Sequence, residues 1–407
     1  MLHTCCTPAA MKERLFAESK AMGARFIRVD VELAGIFDGG GPSADPPSWE
    51  RLDEVLALSR RHELPVLGIL LRPPAWAGPS DPEEFGQLAG RVAEHARGTI
   101  TRWEILNEPD GAWAFEGTPE QYARMLRAAY DGIAGRAPEA EVAMGGVMTP
   151  TDPAWIERVF ATPGADAAHA FDLANLHLRG RAGVLPRQLT AWRELLARHG
   201  FTGPVWVTEH GYPADPAYQT DPLFHGGETA QAAYLTESVL ALAEAGANEV
   251  FVTLRDNLDG RFASEGVVAL GGSPPYIARR KPAFAAARRL VDRWGELTSA
   301  RAEQRSHEEA MRLAYAHAAG ADLNVRAQRD LARAARVRLA RLRAGFRRAR
   351  RPGARARLAP QVARATVRMR ERRNGVGWAR ASAADYRIRA ALHGQRAVEL
   401  ARFVAAG

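Results

Sequence analysis

Two glutamates stand where a carboxylate could do chemistry. One lies in Trp103-Glu104-Ile105-Leu106-Asn107-Glu108-Pro109-Asp110, the other in Val205-Trp206-Val207-Thr208-Glu209-His210-Gly211. Each ends a short apolar run of the kind that forms a buried strand. Two carboxylates brought together this way can divide the work of breaking a glycosidic bond. One is protonated and gives its proton to the leaving oxygen, while the other is ionised and attacks the sugar carbon. Carboxyl groups about 5–5.5 Å apart suit direct attack, and about 6.5–9.5 Å leaves room for a water. Repulsion and burial are expected to raise one pKa above the other. Singly, each glutamate reads as well as a helix cap or salt-bridge partner; together at two strand ends they favour catalysis.

Glu108 and Glu209 are 101 residues apart, so a scaffold must carry both to one mouth. Apolar runs recur at Phe26–Val31, Val66–Leu71, Ile100–Leu106, Val142–Val147, Phe171–Leu178, Val205–Thr208 and Val250–Leu254. They are nearly continuous, as expected for strands buried on both faces of a parallel sheet. Helical patterns lie between them, near 49–62, 82–97, 119–135, 186–199, 229–246 and 282–294, with a shorter one at 153–161. Thr118-Pro119 and Ser80-Asp81-Pro82 each place a capping residue before a helix-compatible proline. Seven strands alternating with helices fit a doubly wound sheet or an eightfold barrel. The helix at 8–22, ahead of the first complete strand, decides for the barrel, because it requires a strand before it. Met1-Leu2-His3-Thr4 reads as the end of that strand. The expectation is an α/β fold: a (β/α)8 TIM barrel with a truncated first strand, over residues 1–297. Glu108 and Glu209 then close the fourth and seventh strands, at the face where such barrels hold their chemistry.

Asn-Glu-Pro after strand four and Thr-Glu-x-Gly after strand seven resemble clan A of the glycoside hydrolases. The wording is closest to the β-xylosidase/α-L-iduronidase family and its cellulase-like relatives. Thr118-Pro119-Glu120-Gln121-Tyr122, Val142–Gly146 and Lys281-Pro282-Ala283-Phe284 add to the likeness, which covers about residues 10–295. The resemblance implies retention of configuration, with Glu108 as acid/base and Glu209 as nucleophile. It also implies that Asn107 binds the substrate 2-hydroxyl, that Arg28 holds the nucleophile ionised from the end of strand two, and that His177 lines the site. The sequence departs from the pattern at Leu178-Arg179, where a tyrosine is common, and at strand eight, which lacks a tryptophan.

An arginine in an apolar strand needs an acidic partner, and Glu209, Glu104 and Asp30 all qualify for Arg28. Glu104 shares strand parity with Glu108 and is expected to point into the barrel below the mouth as that partner. Trp206, of opposite parity to Glu209, is expected to pack under a helix. His177 reads equally as a core histidine. Trp76 and Trp113 fall in loops after strands three and four, where indoles stack on sugar faces, with core packing as the alternative. Tyr212 and Asp256, just beyond strands seven and eight, are placed to hydrogen-bond sugar hydroxyls.

Composition narrows the rest. The 407 residues are 46% hydrophobic and 25% charged, which excludes disorder throughout. No apolar run reaches about 18 residues, so no transmembrane helix is expected. Cys5 and Cys6 are adjacent and exclude a disulfide framework. Histidine and cysteine spacing gives no metal motif, so neither a metal nor a cofactor is expected. The net charge of +8 divides unevenly. Residues 301–407 hold 26 arginines, no lysine and 8 carboxylates, a net +18, against 29 basic and 39 acidic residues before them, a net −10. Residues 298–407 form an Arg/Ala-rich extension, helical or disordered, with a break near Arg351-Pro352-Gly353. Leu331, Ala335, Leu339, Leu342 and Phe346 recur there at helical spacing. An oligo- or polysaccharide is the expected partner, with an anionic surface or nucleic acid as a further partner of the 301–407 tail. Two other functions fit: a non-catalytic carbohydrate-binding barrel, or a polyanion-binding protein acting through its tail. Oligomeric state is open. As written the chain reads as cytoplasmic, and as secreted if a signal peptide lies upstream.

Overall fold

Strand and helix alternate from the N-terminus as the apolar runs require. The first half comprises β1 (Leu2–His3), α1 (Ala9–Met22), β2 (Ile27–Glu32), α2 (Leu33–Phe37), α3 (Glu50–His62), β3 (Val66–Leu71), α4 (Pro82–His95) and β4 (Arg102–Asn107). Then follow α5 (Pro119–Arg136), β5 (Glu141–Gly146), α6 (Ala154–Phe160), β6 (Ala174–His177), α7 (Leu185–Arg198), β7 (Val205–His210), α8 (Gly227–Glu244) and β8 (Glu249–Val252). After these come β9 (Val268–Gly271), β10 (Tyr276–Arg280) and α9 (Pro282–Asp292), then α10 (Trp294–Arg348) and α11 (Pro352–Ala406). This is a computed structural model; it describes residues 2–3, 7–37, 46–148, 153–218, 221–257, 262–271 and 276–406. Met1 and Thr4 of the expected first strand, together with Cys5 and Cys6, lie outside the described residues. The chain divides into two compact units, Met1–Thr298 and Ser299–Ala406.

In the first unit, strands β1 to β8 run parallel in chain order. β1–β5 form one sheet and β6–β8 another, joined by parallel bridges Ala143–Leu173 and Val147–Leu176. Among the described residues no pairing carries β8 back to β1, so the wall of parallel strands keeps a seam where a closed barrel was expected. Among the described residues β1 pairs Leu2 with Val29 and His3 with Asp30. Burial records the same gap: β3 is buried throughout, whereas Glu249–Val252 of β8 are each only partly buried.

Local signals account for the helices. Thr118 caps α5 in a reciprocal capping box with Gln121, and Pro119 opens it. Pro82 opens α4 likewise, although Asp81 makes no capping bond. Trp206 departs from its expected place under a helix. It packs inside the wall with Leu67, Ala143 and Leu173, under the Arg102 guanidinium. The register of β7 shifts between Val207 and His210, so Trp206 and Glu209 both face inward despite their opposite parity.

The second unit is helical, not disordered. α10 and α11 are 55 residues each, which makes each about 80 Å long. They pack antiparallel through a seam rich in alanine, including Ala314, Ala318, Ala383 and Ala390. Arg396 with Glu303, Arg387 with Asp322, and His307 Nδ1 with His393 Nδ1 (2.8 Å) bond across the pair. Among the described residues no helix is long and apolar enough to cross a membrane.

Candidate active site

The C-terminal ends of β4, β6 and β7 open on a cavity of about 1430 Å³. Glu108 enters it from the turn after β4. Leu106 and Glu108 both hold left-handed backbone, φ 64° and 46°, a conformation that costs a non-glycine residue about 1–3 kcal/mol. Bonds around the turn sustain it. The Gly111 N–H donates to the Glu108 carbonyl at 2.8 Å, and the Asp110 carboxylate accepts the Met148 N–H at 3.0 Å.

His177, at the tip of β6, stands between the two glutamates. Its Nδ1 lies 2.7 Å from Glu108 Oε1 and 3.7 Å from Glu209 Oε2. The shorter distance is that of a charge-assisted hydrogen bond between imidazole and carboxyl. Nε2 lies 3.2 Å from Thr208 Oγ1, which itself donates to Asn175 Oδ1 at 2.7 Å. One ligand atom from each of Glu108, His177 and Glu209 falls within 4.8 Å of the others.

Glu209 is gripped on both oxygens. Arg28 Nη1 donates to Oε1 at 2.7 Å and Arg179 Nη2 to Oε2 at 3.0 Å. Each arginine has a second carboxylate behind it. Arg28 forks onto Glu104 at 2.8 and 2.7 Å, and Arg179 onto Glu265 at 2.7 and 3.0 Å. Burial opposes the charge on Glu209, but His177, Arg28 and Arg179 outweigh it and hold the carboxyl well below the usual carboxylate range. Burial likewise opposes both guanidinium charges, and their carboxylates more than restore them.

No family model matches this sequence, and no curated protein matches it. Solved structures do. A glucosidase from Croceicoccus marinus is similar at 14% identity over 68% of this chain and 62% of that one, TM-score 0.53. The exo-β-1,4-mannosidase of Opitutaceae bacterium strain TAV5 is similar at 17% over 71% and 57%, TM-score 0.53. A β-glucosidase from the fungus Trichoderma reesei is similar at 16% over 70% and 88%, TM-score 0.53. This likeness is one of fold. The chain spans about 60% of the length of the first two.

Against this fold the expected residues separate. Arg28 lies near the start of β2, not its end; its long side chain reaches the mouth, where Nη2 also donates to Asn107 Oδ1 at 2.8 Å. Asn107 and Trp113 line the cavity, and Trp113 is 71% exposed on its rim. Three residues fall elsewhere. Trp76 packs against the core. Tyr212 is buried against Phe224 and Tyr234, with its hydroxyl donating to the Leu223 carbonyl at 2.6 Å. Asp256 accepts from Lys281 Nζ at 2.6 Å and from the Gly266 N–H at 3.0 Å. Lys281-Pro282 thus works as a structural clamp on the loop after β8.

Arg179, Glu265 and Thr208 were missed from sequence. The signal for Arg179 was its place directly after the sixth strand, where a buried-side arginine demands a carboxylate. Glu265 has no flanking pattern to mark it. Glu108, His177 and Glu209 also offer enough ligand atoms for a cation. Both oxygens of Glu209 already meet guanidinium groups, so a dication there would face two fixed positive charges. The donor set suits a proton better than a metal.

Proposed function

We propose that the chain is a retaining glycoside hydrolase acting on a β-linked plant or microbial glycan without a cofactor. The observation that carries this reading is the approach of the Glu108 and Glu209 carboxylates, with ligand oxygens within 4.8 Å. Oxygens that close can flank a single glycosidic bond, and direct attack is the step proposed for them. In the first step Glu108 gives its proton to the leaving oxygen as the bond from that oxygen to the anomeric carbon breaks. Glu209 forms an ester to the same carbon. In the second step Glu108 takes a proton from water, whose oxygen displaces Glu209 and restores the starting configuration. His177, within hydrogen-bond distance of Glu108 Oε1, fixes that carboxyl at the cavity. Arg28 occupies the Asn107 side-chain oxygen, leaving the amide N–H groups to donate to a sugar 2-hydroxyl. Trp113 supplies an indole face at the rim for a sugar ring.

A panel of aryl β-glycosides (xyloside, glucoside, galactoside, mannoside and arabinoside), offered to the parent chain, Glu108→Ala and Glu209→Ala, tests it. Expected are hydrolysis of at least one substrate, its loss in Glu209→Ala, and formation of an α-glycosyl azide when azide is added to that variant. A folded parent chain that cleaves none of these, nor longer oligosaccharides, overturns the reading. Separately, we propose that the net +18 of residues 301–407 gives the helical pair affinity for polyanions. Retention on a polyanion column that falls steeply with salt, and disappears on deletion of residues 299–406, is the expected result.

A further inference from the structure

We infer that Arg179 and Glu265 are positioning residues that fix the second oxygen of Glu209 and keep its charge available for attack. The inference rests on the reading of Glu209 as nucleophile.

Five charges alternate through the site in the order Glu104, Arg28, Glu209, Arg179, Glu265, each joined to the next by bonds of 2.7–3.0 Å. Three carboxylates and two guanidiniums leave one net negative charge, and it falls at the centre of the chain. A single guanidinium on Glu209 would leave the other oxygen free to rotate away. Two of them, arriving from β2 and from beyond β6, hold the carboxylate plane between them.

A doubly gripped carboxylate is a poor nucleophile if its partners depend on it for neutrality. Glu265 removes that dependence. Its side chain is 2% exposed, a position costly for a lone carboxylate, and Arg179 meets it with two bonds while meeting Glu209 with one. The Phe262 ring covers the guanidinium at 4.7 Å, which narrows its freedom further. Room for Glu265 comes from Gly211, two residues after Glu209. A Cβ there would lie 3.0 Å from the Glu265 carboxyl carbon.

The consequence appears when the ester forms. Glu209 then gives up its negative charge to the new bond, and the leaving oxygen takes the proton of Glu108. Arg28 remains paired with Glu104 and Arg179 with Glu265, so neither cation is stranded in a buried site. The five-membered chain becomes a neutral set of two pairs. Without Glu265, the same step would leave the half-buried Arg179 beside an uncharged ester.

The test compares Arg179→Met, Arg179→Lys and Glu265→Gln with the parent chain. Two readouts are used: the pH profile of kcat/KM, and a carbon-13 NMR titration of the Glu209 carboxyl assigned by its loss in Glu209→Gln. Arg179→Met is expected to move both the acidic limb and the Glu209 titration upward by about one pH unit or more, with kcat falling over tenfold and KM little changed. Arg179→Lys restores the limb most of the way, because the charge returns without the fork. Glu265→Gln is expected to lower kcat over tenfold while leaving Glu209 ionised throughout. A Glu209 titration unmoved by Arg179→Met overturns the inference, as does a Glu265→Gln variant with the parent kcat. If no glycoside is turned over, the NMR titration still decides on Arg179, so failure of the glycosidase reading is seen apart from failure of this one.

Discussion

Gly146, at the end of β5, lies so close to the His177 ring that a Cβ on it would stand 2.2 Å from Nε2. The imidazole occupies space that any side chain at 146 would fill. It is therefore the size of one residue on β5 that lets a ring on β6 lie between two carboxylates contributed by β4 and β7. Gly146→Ala is expected to expel His177 from its 2.7 Å contact with Glu108 and lower kcat on an aryl glycoside at least tenfold. The secondary structure should survive, so circular dichroism together with the activity ratio separates this effect from unfolding.

Glu104 is fully buried and takes two bonds from Arg28 and one from the Gly146 N–H. Glu104→Ala removes one member of a buried ion pair and leaves the arginine under-compensated. A loss of about 3–5 kcal/mol is expected. The midpoint of urea unfolding, at unchanged slope, measures it.

Acid should destabilise the first unit through Glu209. Its carboxyl is held below the ordinary value of 4.5, so the unfolded chain binds this proton at a higher pH than the folded one does. The stabilisation is therefore complete above that value and is lost as pH falls beneath it toward the folded pKa. Glu209→Gln has no such proton to bind. Its unfolding free energy is expected to depend less steeply on pH below about 4.5, as denaturant titrations at several acidic pH values would record.

Trp113 makes a cleaner test of substrate contact than any buried residue. It stands on the rim at 71% exposure, so Trp113→Ala should leave stability within about 0.5 kcal/mol. The expected change is a several-fold rise in KM for an oligosaccharide and a smaller one for an aryl monosaccharide. Equal changes for both substrates would count against stacking beyond the first sugar.

Much of this arrangement was legible because periodic signals are local. Apolar runs of four to eight residues located β2 to β7, and Thr118-Pro119 located the start of α5. Glu104 was readable as a buried partner of Arg28 from parity alone, since β4 keeps an even alternation up to Leu106. Parity failed for Trp206 because the register of β7 slips after Val207, and such a slip leaves no mark in residue types. Tyr212, Asp256 and Trp76 were misplaced for a different reason. Loops after barrel strands hold the structural residues that fasten them as well as the residues that face the cavity, and both are polar or aromatic. Glu265 was invisible because it lies in a loop with no strand parity or motif to mark it, unlike Glu104 on β4.

The seam between β1 and β8 gives the Arg28–Glu209 bond a second consequence. Arg28 stands on β2 and Glu209 on β7, one strand in from either lip, so this contact, like the Arg25–Glu249 ion pair, reaches across the place where backbone pairing stops. Widening of that gap by heat is expected to separate the two side chains while most of the parallel wall is still intact. Two characteristic temperatures are then expected instead of one: a lower one at which Glu209 loses Arg28, and a higher one at which the fold melts. Warming and recooling between them would switch turnover off and on again without unfolding the protein.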